Sequence, residues 1–228
     1  AIYREKLIKI KAEKAMNEDI NLARQLPYSE MAKMGWVPKT RDSKEKVINL
    51  RKFFEVVELS LLENTQITKI ACRRLAITEK GDFALLAWAQ EAKIKARGIE
   101  VKAVNIKGLI NTIPEIRKMT LQKPDTFCLK IRTLLAENGI ALVFLPHLKG
   151  SFLQGASFMD GNKIVVGMTA RGKDADKFWF SLFHELGHIV LGHIGKSGGT
   201  TLSDEDEANE WSRNELIPPN AFETFKNN

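Results

Sequence analysis

Through the first 138 residues apolar side chains recur every three or four positions, and beyond that they gather into short unbroken runs, so the pattern predicts helices first and a sheet afterwards. Residues 2–24 hold no Gly or Pro and place Leu7, Ile8, Ala12 and Ala15 at helical spacing, with Pro27 as the stop. Pro27-Tyr28-Ser29 starts a short helix that Gly35 ends. Asp42-Ser43 caps a helix bearing Val47, Ile48, Leu50, Phe53 and Phe54, and Gly81-Asp82 opens another that runs through Leu85, Leu86 and Trp88 to Gly98. Two more are predicted over 106–118, where Pro114 can interrupt the helix, and over 125–138, where Asn138-Gly139 supplies a C-terminal signal.

After Gly139 the period shifts. Residues 140–145 (Ile-Ala-Leu-Val-Phe-Leu) suit a buried strand, and 152–158 and 163–168 suit two strands joined by a Met159-Asp160-Gly161-Asn162 turn. Lys173-Asp174-Ala175-Asp176 then places acidic residues at the start of an apolar helix through Val190, and Ser203-Asp204 reads as the cap of a last helix that Pro218-Pro219 ends. The expected class is α+β: a helical N-terminal region over 1–120, then a domain over 121–228. In that domain a small antiparallel sheet packs with the two last helices. Glycine usage agrees, since four of the 15 glycines precede residue 139 and the other 11 fall from Gly139 to Gly199.

With 228 residues, 44% hydrophobic and 28% charged, the chain can bury a sizeable core. It has no uninterrupted apolar run near the roughly 20 residues of a membrane helix, so no membrane partner is expected. Cys72 and Cys128 are too few for a disulfide framework and read as free thiols in a reducing cytoplasm. The net charge of +7 is uneven: residues 1–150 hold 28 Lys/Arg against 17 Asp/Glu, and residues 151–228 hold 7 against 11. The basic residues of the front alternate with acidic ones, as in Arg4-Glu5-Lys6, which describes a solvated helix surface better than a nucleic-acid footprint. The start at Ala1 instead of Met suggests a piece of a longer chain.

The chemistry is concentrated in His184-Glu185-Leu186-Gly187-His188. Residues four apart lie on one helical face, so the two imidazoles can share one metal ion, and Glu185 beside them can take a proton from an attacking water and pass it to a leaving amine. Zinc suits such a site, because it polarises a carbonyl and acidifies water while the glutamate moves protons. Random placement of 4 His and 19 Glu in this length yields roughly 0.006 such motifs.

A catalytic zinc takes a third protein ligand, for which His193, His147 and the Asp204-Glu205-Asp206-Glu207 run are candidates. His193 lies about 140° around the helix from His188 and is expected to face elsewhere. His147 follows a strand end and is either a surface residue or a donor to an oxyanion. Glu205 shares a stripe with Ala208, Asn209, Ser212 and Leu216 and is the favoured ligand, with Asn209 one turn on to orient a histidine. Glu207 falls about 200° away and serves only the helix start. If the strand near 150–158 is an open edge, Gly155 and Ala156 are small enough to let an extended substrate dock there.

His184-Glu185-Leu186-Gly187-His188, followed by Glu205-x-x-Ala208-Asn209-x-Trp211-Ser212 and Leu216-Ile217-Pro218, resembles the ImmA/IrrE zinc metallopeptidases, whose pattern is H-E-x-G-H, then E-x-x-A-[ND]-x-F-A and a hydrophobic-Pro close. Trp211 and Ser212 depart from that pattern. The resemblance extends over about residues 125–228. It implies Zn2+ on His184, His188 and Glu205, with Glu185 as general base. It also implies a protein substrate, a repressor or toxin–antitoxin partner, cleaved by the peptidase part of a transcriptional regulator. Residues 26–38 are similar to the middle region of such regulators, so DNA contact is expected only through a helix-turn-helix domain preceding Ala1. The alternative is an antitoxin or repressor binding module whose metal site is vestigial or structural.

Overall fold

The computed structural model describes residues 2–62, 71–72, 79–151, 153–169, 174–196 and 200–217. Among these the class is α+β, with eight α-helices and a small mixed sheet. The chain divides into two compact units, one formed by residues 1–67, 76–91 and 148–152 and the other by 68–75, 92–147 and 153–228.

In the first unit α1 (Ile2–Ala23) packs on α3 (Ser43–Phe54), with the short α2 (Tyr28–Lys33) between them in sequence. The predicted stripe of α1 does not form a buried face over Ala12 and Ala15: burial begins only at Asp19, Leu22 and Ala23. Asp42 caps α3 as expected by accepting from the Glu45 amide at 2.8 Å, and Val47 and Leu50 are fully buried beneath it. Asp19 accepts from Arg51 Nε at 2.7 Å and from the Leu59 amide at 2.9 Å, which ties α1, α3 and the turn over Leu59–Leu62 together. The helix α4 (Glu79–Arg97) starts two residues before Gly81-Asp82 and ends, as its sequence indicates, just before Gly98.

The second unit is built on strands β2 (Ile140–Leu145), β3 (Gly155–Asp160) and β4 (Lys163–Thr169), joined by a two-residue β1 (Ala71–Cys72), in the order β1-β3-β4-β2. The β3–β4 hairpin is antiparallel, turning at Gly161, whose φ of +62° suits a residue without a Cβ. The pairing of β2 with β4 is parallel, with Ile140 opposite Ile164 and Leu145 opposite Thr169, so the sheet is mixed and not wholly antiparallel.

Helix α6 (Pro124–Ala136) packs on β2, and α5 (Ile106–Lys118), which passes through Pro114 without a break, packs on α6 and on the two helices that follow the sheet. Leu109, Ile113 and Ile116 of α5 share one core with Ile131 and Leu135 of α6, Leu142 of β2 and Phe183 of the motif helix. A boundary at residue 120 therefore cuts through the second unit. Gly139 ends the α6 connection with φ +83°, and a Cβ there would meet the Val104 backbone at 2.5 Å. Phe152, Lys173 and Pro218-Pro219 lie outside the described residues. Among the described residues no helix is long and apolar enough to cross a membrane.

Candidate metal centre

Helix α7 (Ala175–Val190) has Trp179, Leu182, Phe183 and Leu186 at i, i+3, i+4 and i+7, all in the core. Rotation of about 100° per residue brings His184, Glu185 and His188 to a different face. They are 2%, 1% and 0% exposed. Three polar side chains this deep must find partners, which strand β3 supplies for Glu185 and the next helix for the two histidines.

That helix, α8 (Leu202–Leu216), is capped by Thr201. Thr201 Oγ1 accepts from the Asp204 amide at 3.2 Å, and Asp204 Oδ2 accepts from the Thr201 amide at 2.8 Å, a reciprocal capping box. The cap thus lies upstream of the expected Ser203-Asp204, and Asp204 is already inside the helix. The relative angles of later residues are unaffected, so Glu205 and Asn209 still share a face with Ala208 and Ser212. What brings that face to α7 is small size. A Cβ on Gly187 would lie 3.1 Å from the Trp211 ring and 3.3 Å from the Ala208 carbonyl, so glycine at 187 and alanine at 208 let the two backbones approach.

Three ligand atoms converge there. His184 Nε2 and His188 Nε2 are 3.0 Å apart, Glu205 Oε2 is 3.2 Å from the first, and Glu205 Oε1 is 3.4 Å from the second. On the outer side Asn209 Oδ1 lies 3.0 Å from His184 Nδ1. The amide oxygen accepts, so His184 Nδ1 donates, and its Nε2 is left bare toward His188 and Glu205. Both Glu205 oxygens are buried and receive no hydrogen bond.

The donor set fits a divalent cation. Two bare imidazole nitrogens and a carboxylate without a donor are what zinc takes, and bonds of about 2.0–2.1 Å in a tetrahedron place neighbouring ligands about 3.3–3.4 Å apart. The observed separations are close to that before any ion is considered, and all three ligand atoms lie within 4.8 Å of one another. His184, His188 and Glu205 can hold a metal ion; no fourth His, Cys, Asp or Glu among the described residues joins the group.

Glu185 is held apart from these ligands. Its Oε2 accepts from Ser157 Oγ of β3 at 2.7 Å. Burial pushes its carboxyl above the usual range, opposed by His184, His188 and the Ser157 hydroxyl. Gly155 makes room for it: a Cβ there would meet Glu185 Cγ at 2.9 Å and Oε1 at 3.1 Å. The smallness of Gly155 serves the glutamate, therefore, and the edge expected to be open is paired at Ala156. Cys72 pairs with Ala156 and Ala71 with Ser157, so β1 occupies that side of β3.

His193 was expected to face away and does not. Its Nδ1 is 3.1 Å from His188 Nδ1. The expectation continued the helical rotation past residue 191, whereas α7 ends in a Schellman turn: Gly192 adopts φ +74°, the His193 amide donates to the His188 carbonyl at 2.9 Å, and the Gly192 amide donates to the Ile189 carbonyl at 3.2 Å. Such a turn folds the residue after the glycine back onto the one five positions earlier. Gly192-His193, placed five after His188, is the sequence signal that could have found it. His147 is half-buried after β2 and lies outside the ligand group.

Comparison of the chain with family models, with curated proteins and with solved structures yields no match.

Proposed function

We propose that the chain is a zinc-dependent endopeptidase that hydrolyses a peptide bond in a regulatory protein, as its resemblance to the ImmA/IrrE metallopeptidases implies. The observation that carries this reading is the convergence of His184, His188 and Glu205 on one point with Glu185 beside them. Three protein ligands with no fourth among the described residues are the pattern of a catalytic zinc, which keeps a position for substrate or water. Zinc bound there supplies a Lewis acid for the scissile carbonyl and lowers the pKa of water. His184 and His188 hold it through Nε2, and Asn209 orients the first by accepting its Nδ1 proton.

Glu185 takes the proton of the attacking water on a carboxylate oxygen and returns it to the amine as the C–N bond breaks. Burial raises its carboxyl above the usual range, which favours its holding the proton between the two transfers. The Ser157 hydroxyl fixes the carboxylate by donating to Oε2, which leaves Oε1 for the proton. The test is Glu185→Gln, with the protein encoded beside this chain as substrate. Zinc content stays near one per chain by elemental analysis, and proteolysis falls by about 10²–10⁴-fold. Proteolysis near the wild-type rate in that variant, or a wild type that takes up no metal, would overturn the reading.

One observation favours a second reading, a regulator that binds a partner without cutting it. Glu185 is 1% exposed and β1 pairs with β3 at Ala156 and Ser157, so a peptide cannot add to that edge of β3 without displacing β1. In that case the wild type and Glu185→Gln bind the partner equally and neither cleaves it.

A further inference from the structure

Two histidine Nδ1 atoms 3.1 Å apart, on the side of His188 away from the candidate metal site, cannot both carry a proton, nor can both be bare and hold that distance with no cation between them; one donates and the other accepts. His188 decides which. Its Nε2 faces His184 Nε2 at 3.0 Å and Glu205 Oε1 at 3.4 Å, the side on which the metal ligands converge, so a ligating His188 is bare at Nε2 and protonated at Nδ1. His193 Nδ1 is then the acceptor, and the neutral His193 ring carries its proton on Nε2. That atom lies 3.5 Å from Asp204 Oδ1 and 3.5 Å from Glu207 Oε2, both carboxylates of α8.

We propose that His193 is a positioning residue: it fixes the tautomer and ring orientation of His188 and links that ligand to the helix that supplies Glu205. The proposal rests on the metal-centre reading of His184, His188 and Glu205. It assigns to His188 the outward partner that Asn209 provides for His184, by a different device. Asn209 comes from within α8, one turn beyond Glu205, whereas His193 comes from the Schellman turn of α7.

The remaining contacts make His193 a bridge. Its ring is 3% exposed and packs edgewise on His188, with ring centres 5.2 Å apart. Asp204, the carboxylate it reaches, is fixed three further ways: by Lys196 Nζ at 2.6 Å, by the Thr201 amide at 2.8 Å, and by its place in the cap of α8. Glu205 is the next residue. Through His193 the orientation of one ligand and the start of the helix bearing another are set by a single side chain. Metal ligands whose far nitrogen loses its partner typically lose about 10–100-fold in metal affinity.

The experiment compares His193→Phe, which keeps a planar ring but accepts nothing, with His193→Asn, whose Oδ1 hangs from Cγ as Nδ1 does and still accepts. Zinc affinity is measured by competition with a chromophoric chelator. His193→Phe should bind zinc about 10–100-fold more weakly than the wild type, and His193→Asn should recover most of that loss. A purely packing role for the ring predicts the reverse, with the aromatic variant the better of the two. Long-range proton–nitrogen NMR of the zinc-loaded wild type should show His188 protonated at Nδ1 and His193 at Nε2. Equal affinities for the wild type and His193→Phe, no recovery in His193→Asn, or a His193 proton on Nδ1 each overturn the proposal. If His193→Phe does not fold, the wild-type ring spectra decide it. A wild type that binds no zinc overturns instead the reading on which the proposal rests, so the two failures are distinct.

Discussion

Asp19 and Glu205 are both carboxylates withdrawn from water, and the two units treat them in opposite ways. Asp19, 1% exposed, is answered by its own unit: a guanidinium at 2.7 Å and a backbone amide at 2.9 Å fill it. Glu205, 14% exposed, faces two imidazole nitrogens, and neither of its oxygens receives a hydrogen bond. A buried charge satisfied by its neighbours closes a fold; one whose neighbours are further electron-pair donors prepares a place for a cation. The same contrast separates structural from functional burial elsewhere in the chain. Gln90 in the first unit donates to the Phe53 carbonyl at 2.9 Å, whereas His184 and His188 turn ring nitrogens to each other at 3.0 Å, beside the Glu205 carboxylate.

The largest test of this contrast removes Glu205. Zinc bound to the folded state alone, at a thousandfold excess over its dissociation constant, would add about 4.1 kcal/mol of stability to the wild type. Glu205→Ala should lose most of that gain, read as a melting temperature that no longer rises with added zinc. A zinc-dependent rise as large as in the wild type would remove Glu205 from the ligand set.

The converse test takes away Asp19. Asp19→Ala strands a mostly buried guanidinium and a buried amide, which costs about 2–3 kcal/mol, below the roughly 3–5 of a wholly buried pair because Arg51 remains 24% exposed. Chemical denaturation measures the loss, and zinc affinity should be unchanged. Equal stability in the variant, or a changed zinc affinity, would erase the distinction between the two carboxylates.

How far each region could be read from the sequence follows from how local its causes are. The shared face of His184 and His188 is fixed by four residues of helix, and Glu205 with Asn209 by the same arithmetic, so their relative placement needed no tertiary knowledge. Misplacing the α8 cap did no harm to that arithmetic, although Thr201-x-x-Asp204 spelled the capping box. The parallel pairing of β2 with β4 was not legible, because an apolar run states that a strand is buried and not which neighbour it takes. Neither was the reach of the second core to Leu109 and Ile113, nor the task of Gly155, whose constraint is a side chain thirty positions away in sequence. His193 lay between the two cases: its placement is local, but it depends on Gly192 leaving the helical rotation instead of continuing it.

The smallest expected effect sharpens the contrast within α8 itself. Glu207 is as acidic as Glu205 and only two residues on, yet it points about 200° away, and its side chain is 56% exposed. Its neighbours are Ser203 Oγ, which donates to it at 3.2 Å, and the edge of His193 at 3.5 Å. His193 keeps the better-buried Asp204 when Glu207 is gone, so its ring stays placed against His188. What remains is the interaction of a solvated charge with the first turns of a helix, a few tenths to about 1 kcal/mol. Glu207→Ala should therefore shift the melting temperature slightly and leave zinc affinity within a few-fold of the wild type. An affinity loss approaching that of Glu205→Ala, measured in the same chelator competition, would mean that exposure and helical face do not separate the two glutamates.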